Sequence, residues 1–448
     1  MTQVDEQLHD AGMSAREAEK KRELFARAER ALSALGAGRS QILFWVPGRI
    51  EVLGKHTDYA GGRSLLCAIE RGFCFAAAPR VDDLLRIHDA RLGETSEIPM
   101  RAETRVRAGH WSAYPTTVAQ RLAANFAADP PLVGADVAFI SDLPIAAGIS
   151  SSSALVVGTF SVLAAINRLT ERTDFTSSID GTPSLAEYLG AVENGLTYRT
   201  LAGERGVGTF GGSEDHTAML CAEPGAVIQY SFCPVRRERV VALSPDVVLV
   251  VASSGVVAEK TGSALLSYNR VASLARAALA AWNRATQSDD RTLADALASA
   301  GSADAFAFAI EFTAESGEFS TPEIIERVRQ FAVESEELIP RAGDALASRR
   351  HDAFGAIVDR SMRSAVEMLH NQTPETIFLA EQARALGAIA ASAFGAGFGG
   401  SVWAMVERNR ADAFVAAWQA EYAARFPGLL NAEFFSTEAG IPATALND

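Results

Sequence analysis

Nothing between Asp142 and Arg168 carries a charge. In a 448-residue chain where Asp, Glu, Lys and Arg make up 21% of the sequence, such a stretch belongs inside a core. It opens on Leu143-Pro144, passes Gly148 and runs through Ser150, Ser151, Ser152 and Ser153. Its apolar part, Ala154–Ile166, is too short to span a bilayer. The pattern predicts a buried helix entered through small and hydroxyl-bearing residues.

Around that helix, the length allows two or three domains. Residues 15–35 have the stripe of an amphipathic helix, ended by Gly36 and Gly38. Short β-branched or apolar runs at Ile42–Val46, Phe73–Ala78, Leu84–His88, Ala135–Ile140, Ala226–Phe232 and Val247–Ala252 predict strands, the first stopping at Pro47-Gly48. Trp111–Ala127 and Ser184–Leu201 predict helices. Beyond about residue 255 the texture changes to Ala-rich helices near 260–285, 291–300, 322–337, 351–371 and 374–388. A strand at Val402–Val406 and a helix near 410–424 close the pattern. The expected class is α+β in two domains sharing an interface, with a boundary near 230–255, taken as 1–240 and 241–448.

Charge excludes some partners. The net charge is −14, no long basic run occurs, and an acidic chain of this kind is not expected to bind nucleic acid or an anionic membrane. The first fifteen residues show no signal-peptide pattern, and Cys67, Cys74, Cys221 and Cys233 form no CxxC or zinc spacing. A reducing cytoplasm is the expected compartment. Only Lys20, Lys21, Lys55 and Lys260 are lysines among 41 basic residues, so a lysine inside a motif calls for a reason.

Three segments have the residues for chemistry. The serine run sits where a helix begins, and free N–H groups with hydroxyls there suit either a polyphosphate cradle or an overbuilt N-cap. Arg49, Lys55, His56, Asp58 and Tyr59, ahead of Gly61-Gly62, fit either a polar ligand loop or a solvated one. His56 and Asp58 lack a third metal ligand at a recognised spacing. Gly395 to Gly400 matches GxGxxG literally, but a strand pattern rather than a helix follows it, so a dinucleotide site is disfavoured. Gly54-Lys55 fails the Walker spacing, with His56 at the Ser/Thr position. No GxSxG or HExxH occurs.

Read together, Gly48-Arg-Ile-Glu-Val-Leu-Gly-Lys-His-Thr-Asp-Tyr-Ala-Gly-Gly62, the segment Leu143–Leu155 and Gly395-Ala-Gly-Phe-Gly-Gly400 resemble, in order and spacing, the three motifs of the GHMP kinase superfamily, most closely its galactokinase branch. The resemblance covers residues from about 40 to 425. It implies a two-domain GHMP kinase fold with the active site in the cleft between domains, and ATP-dependent phosphorylation of a sugar's anomeric hydroxyl with Mg2+. It implies Asp215, in Gly212-Ser-Glu-Asp-His216, as catalytic carboxylate beside Arg49. Ser152 and Glu193 are implied as metal ligands, and Ala147, Gly148, Ile149, Ser150, Ser151, Ser152, Ser153, Gly397 and Gly399 as ATP-binding. Lys55, His56, Asp58, Gly212 and Tyr268 are implied around the sugar.

Two positions depart from the family. Ala146 stands for a usual glycine, and Lys55 stands where galactokinases have a glutamate that accepts from the sugar's 6-hydroxyl. A cation in place of an acceptor leads to an expectation of a sugar acid or another altered acceptor, unless Lys55 turns to solvent or to Glu51 and galactose still binds. A regulator of the same fold that binds sugar and ATP without turnover is the competing function.

Overall fold

The computed structural model describes residues 3–446 apart from 39–41, 108, 127–129, 146, 257–262 and 312–317. Ala146 and the expected helix ends at Ala127 and 260 lie outside the described residues.

Among the described residues, twelve strands form two sheets. The first joins β1 (Ile42–Leu53), β2 (Arg63–Pro79), β3 (Leu84–Asp89), β4 (Glu94–Pro99), β5 (Ala135–Ser141), β6 (Ala226–Ser231) and β7 (Arg236–Ala242). The second holds β8 (Val247–Ser253), β9 (Ala390–Phe394), β10 (Ser401–Glu407) and β11 (Glu433–Thr437), in the order β11-β8-β10-β9. Sheet membership therefore changes between Ala242 and Val247. The last strand, β12 (Thr444–Leu446), returns to the first sheet beside β1, which no sequence pattern announced.

β1 does not stop at Pro47-Gly48 as expected. Its ladder with β2 shifts register between Pro47 and Arg49 and again between Glu51 and Leu53. A bulge of this kind absorbs the proline's missing donor and lets the strand continue. Opposite Pro47 stands Gly72, where a Cβ would lie 2.1 Å from the Val46 carbonyl oxygen, so only glycine lets the two backbones approach. Between the two irregularities, Arg49 and Glu51 share one face of β1 by strand alternation, and this aims both at the cleft.

The uncharged segment forms the helix Ser151–Ile166, with Ala154 to Gly158 buried. At Gly158 a Cβ would sit 2.2 Å from the Phe75 ring, so this helix lies directly on β2. The expected Ser184–Leu201 helix is shorter, Thr182–Asn194, because Gly195 ends it at φ 72°. Among the described residues no single helix is long and apolar enough to cross a membrane.

Candidate active site

Four elements bring side chains to one open cleft of about 50 Å³. β1 supplies Arg49, the helix Ser151–Ile166 supplies Ser153, the helix Thr182–Asn194 supplies Glu193, and the short helix Glu214–Leu220 supplies Asp215. The loop between β9 and β10 brings Gly395 and Ala396 from the second sheet.

At the centre is Asp215. Its Oδ1 accepts from Arg49 Nε at 2.7 Å and its Oδ2 from Ser153 Oγ at 3.2 Å. Arg49 also donates through Nη1 to the Gly148 carbonyl at 2.9 Å and is only 2% exposed. Burial works to lower its pKa, yet Asp215, Glu214 and Glu51 prevail and hold the guanidinium above its ordinary value. The single Ser153 proton is shared with Glu193 Oε2, the nearer acceptor at 2.8 Å. The hydroxyl that meets Glu193 is thus Ser153's. Ser152, expected there from the motif, is half-buried one residue earlier, and about 100° of helical rotation separates the two side chains.

Glu193 and Asp215 meet through that one serine despite the long segment between them. The segment is folded back by its own backbone: Val207 N–H donates to the Glu193 carbonyl at 2.9 Å, and Asn194 Oδ1 accepts from Gly211 N–H at 2.9 Å.

The serine and glycine loops abut. Gly148 (φ 70°) and Ser150 (φ 58°) turn the chain left-handed before the helix starts. A Cβ on Gly395 would stand 2.8 Å from the Gly148 oxygen, and one on Gly397 only 2.3 Å from the Asn371 oxygen. Ser401 Oγ closes the contact by donating to the Ala147 carbonyl at 2.6 Å. Ala147 and Ile149 are buried, Ser151 is half-buried, and Gly399 (φ 123°) packs on Val256. A glycine loop and a helix N-terminus side by side offer backbone N–H groups to an anion.

Against the glycine loop, His56 Nε2 lies 3.1 Å from the Ala396 carbonyl and Nδ1 lies 3.0 Å from Tyr59 Oη. Because a carbonyl only accepts, the proton of a neutral imidazole belongs on Nε2, and Tyr59 then donates to Nδ1. Asp58 Oδ2 accepts from Glu214 N–H at 3.1 Å, and a Cβ on Gly212 would be 2.3 Å from the same oxygen. Tyr268 packs 5.5 Å from the His56 ring. His56, Asp58, Gly212 and Tyr268 all line the cleft.

Lys55 does not. It is 2% exposed, Nζ donates to the Ala393 carbonyl at 2.9 Å, and Glu51 Oε1 is 3.9 Å away. The expectation that Lys55 reads the acceptor is corrected here: a buried ammonium needs acceptors, and the protein supplies them behind the cleft wall.

The cleft is lined instead by Glu51, which the sequence offered only as a partner for Lys55, and by Glu214 and His216, which it did not offer as site residues. Glu51 Oε2 accepts from Gly395 N–H at 3.1 Å, while Oε1 has no hydrogen-bond partner among the described residues. Burial pushes the Glu51 carboxyl up to about 7, against the pull of Lys55 and Arg49. Glu214 accepts from Ser64 Oγ at 2.5 Å and is held well above the usual carboxylate range, first by burial and then by neighbouring Glu51 and Asp58. The available signals were Glu51's strand spacing from Arg49 and the two residues flanking Asp215. Among the described residues no three His, Cys, Asp or Glu side chains form a ready-made metal cage.

The chain is similar in sequence and fold to known proteins. Residues 36–79 match the galactokinase galactose-binding signature, 113–194 the GHMP kinases N terminal domain and 344–424 the GHMP kinases C terminal family. A galactokinase of Chloroflexus aggregans is 29% identical over 383 residues, covering 85% of this chain and 87% of that protein. One from Roseiflexus is 28% identical over 382 residues, covering 83% and 85%. The fold superposes on the crystal structure of Lactococcus lactis galactokinase complexed with galactose at a TM-score of 0.75, with 24% identity over 94% of this chain and 99% of that one. A mevalonate kinase structure aligns at 0.51 with 12% identity, over 88% and 98%.

Proposed function

The chain is a galactokinase-like GHMP kinase, and from that premise we propose that it transfers the γ-phosphoryl group of ATP to the anomeric hydroxyl of galactose or a close relative. The observation that carries this reading is the carboxylate of Asp215, held by Arg49 and Ser153 in a cleft that His56, Asp58, Gly212, Tyr268, Gly395 and Ala396 also line. Asp215 orients the acceptor hydroxyl and takes its proton. Arg49 lies within reach of both Asp215 and the serine loop, so its charge is placed to stabilise the transferred phosphoryl as negative charge spreads over it. His56, Asp58, Gly212 and Tyr268 read the sugar. Ala147 to Ser153, with Gly397 and Gly399, receive ATP.

A hard cation fits the donor set. A serine hydroxyl beside the Glu193 carboxylate is an oxygen pair of the kind Mg2+ accepts when phosphates and water complete its shell. Bound there it would neutralise the phosphates. We read residues 1–240 and 241–448 as the two domains flanking the cleft, with β12 crossing back to pair into the first sheet.

The contacts of Lys55 weigh against a uronic acid and for a neutral sugar. Its charge is already met by Ala393 and Glu51, and the group facing the acceptor is the Glu51 carboxyl. Sugar-dependent ADP release, run with galactose, arabinose and galacturonate, tests the reading. Tight sugar and ATP binding with no ADP from any sugar would instead mark a regulator.

A further inference from the structure

His216 follows the catalytic carboxylate directly, is 2% exposed and lines the cleft. Neither of its ring nitrogens has a hydrogen-bond partner among the described residues. Nε2 does lie 3.1 Å from Glu193 Oε2, but off the line that a hydrogen bond requires. A buried imidazole with both nitrogens unused is costly unless something else engages it.

The spacing suggests what that is. Two ligands at right angles on one ion, each about 2.1 Å from it, stand about 3.0 Å apart with no hydrogen bond between them. His216 Nε2 and Glu193 Oε2 have that separation at 3.1 Å, and Ser153 Oγ is 2.8 Å from the same carboxylate oxygen. One carboxylate oxygen thus has a nitrogen at ligand-edge distance and a hydroxyl in hydrogen-bond contact, and all three side chains line the cleft. The remaining positions around such an ion would fall to phosphate oxygens and water, consistent with the absence of a complete protein cage among the described residues.

We propose that His216 is a protein ligand, with Ser153 and Glu193, of the divalent cation that accompanies ATP, and that its nitrogen biases the site toward Mn2+ and later transition ions over Mg2+. The inference rests on the phosphotransferase reading of the cleft. Its chemical basis is general: imidazole adds little for a hard, oxygen-seeking ion and more for first-row transition ions. A structural role as a simple ion-pair partner of Glu193 predicts no such bias.

The test is pulsed electron paramagnetic resonance of the full chain loaded with Mn2+ and a non-hydrolysable ATP analogue. The wild-type protein should show nitrogen coupling to the ion, and growth with 15N-histidine should convert that coupling to its 15N form with no mutation. His216→Gln should abolish it and should lower the Mn2+-over-Mg2+ binding ratio by about tenfold. Coupling that is absent from the wild type, is insensitive to 15N-histidine or survives in His216→Gln overturns the proposal, as does an unchanged ratio. A normal histidine signal in a protein that releases no ADP with any sugar would sink the kinase reading and leave the ligand assignment standing.

Discussion

Replacing Lys55 with methionine removes an ammonium from a buried group of carboxyls while keeping most of the volume. Its Nζ is 3.9 Å from Glu51 Oε1, and the Glu51 carboxyl also feels Glu334. At that distance and an effective dielectric near 20 the pair is worth about 4 kcal/mol. The charge-assisted bond to Ala393 is lost as well, although the lysine's own desolvation cost disappears. Breaking a buried pair from one side gives a net destabilisation of about 3–5 kcal/mol. Guanidinium unfolding of Lys55→Met at pH 8, above the Glu51 titration near 7, should show this as a lowered midpoint. The double variant Lys55→Met/Glu51→Gln should recover more than half of it, because no uncompensated charge remains at position 51. The galactose-to-galacturonate preference of Lys55→Met should stay near wild type, since the side chain does not line the cleft. A stability loss under about 1 kcal/mol, together with a selective loss of galacturonate binding, would refute the reasoning and return Lys55 to the acceptor site.

Asp215→Asn should fold and bind sugar while kcat falls by about 10²–10⁴, the range for losing a positioned proton acceptor; near-wild-type turnover would remove Asp215 from the chemistry. Gly212→Ala should raise the sugar KM by about tenfold and leave the ATP KM alone, because the added Cβ meets Asp58 at 2.3 Å; steady-state kinetics with each substrate varied separates the two. The pH dependence of stability follows from Glu51, whose carboxyl titrates near 7 in the folded chain against an ordinary 4.5. The folded state holds that proton more tightly. The contribution is therefore complete below about 4.5, declines as pH rises and is gone above about 7, a change on the order of 3 kcal/mol. Unfolding midpoints across pH 4.5–8 should fall for wild type and fall less for Glu51→Gln.

The three motifs were legible because each is local: glycines and serines at fixed offsets specify loop geometry wherever they occur. Their meeting is a product of topology. β1, the helix Ser151–Ile166 and the β9–β10 loop converge through the two sheets, and no short-range pattern encodes that. Strands with apolar alternation were visible, whereas β4, β7, β11 and β12 are short or polar and take their form from the neighbours they pair with. Lys55 shows the limit of reading one position against a motif. The substitution was visible in the sequence, but its meaning depends on Glu51 four residues earlier and on Ala393 in a strand contributed by the far half of the chain. Ser153 makes the same point on a smaller scale, since one residue along a helix decides which hydroxyl meets Glu193.

The central claim is that Asp215 and Arg49 serve phosphoryl transfer to a sugar. Phosphorus-31 NMR of the protein with ATP, Mg2+ and galactose tests it most directly, by following the γ-phosphoryl signal to its product. The account predicts a sugar 1-phosphate that grows with ADP in the wild type and is nearly absent with Asp215→Asn. ATP that persists unchanged beside a bound sugar, or phosphate appearing at a hydroxyl other than the anomeric one, would contradict it.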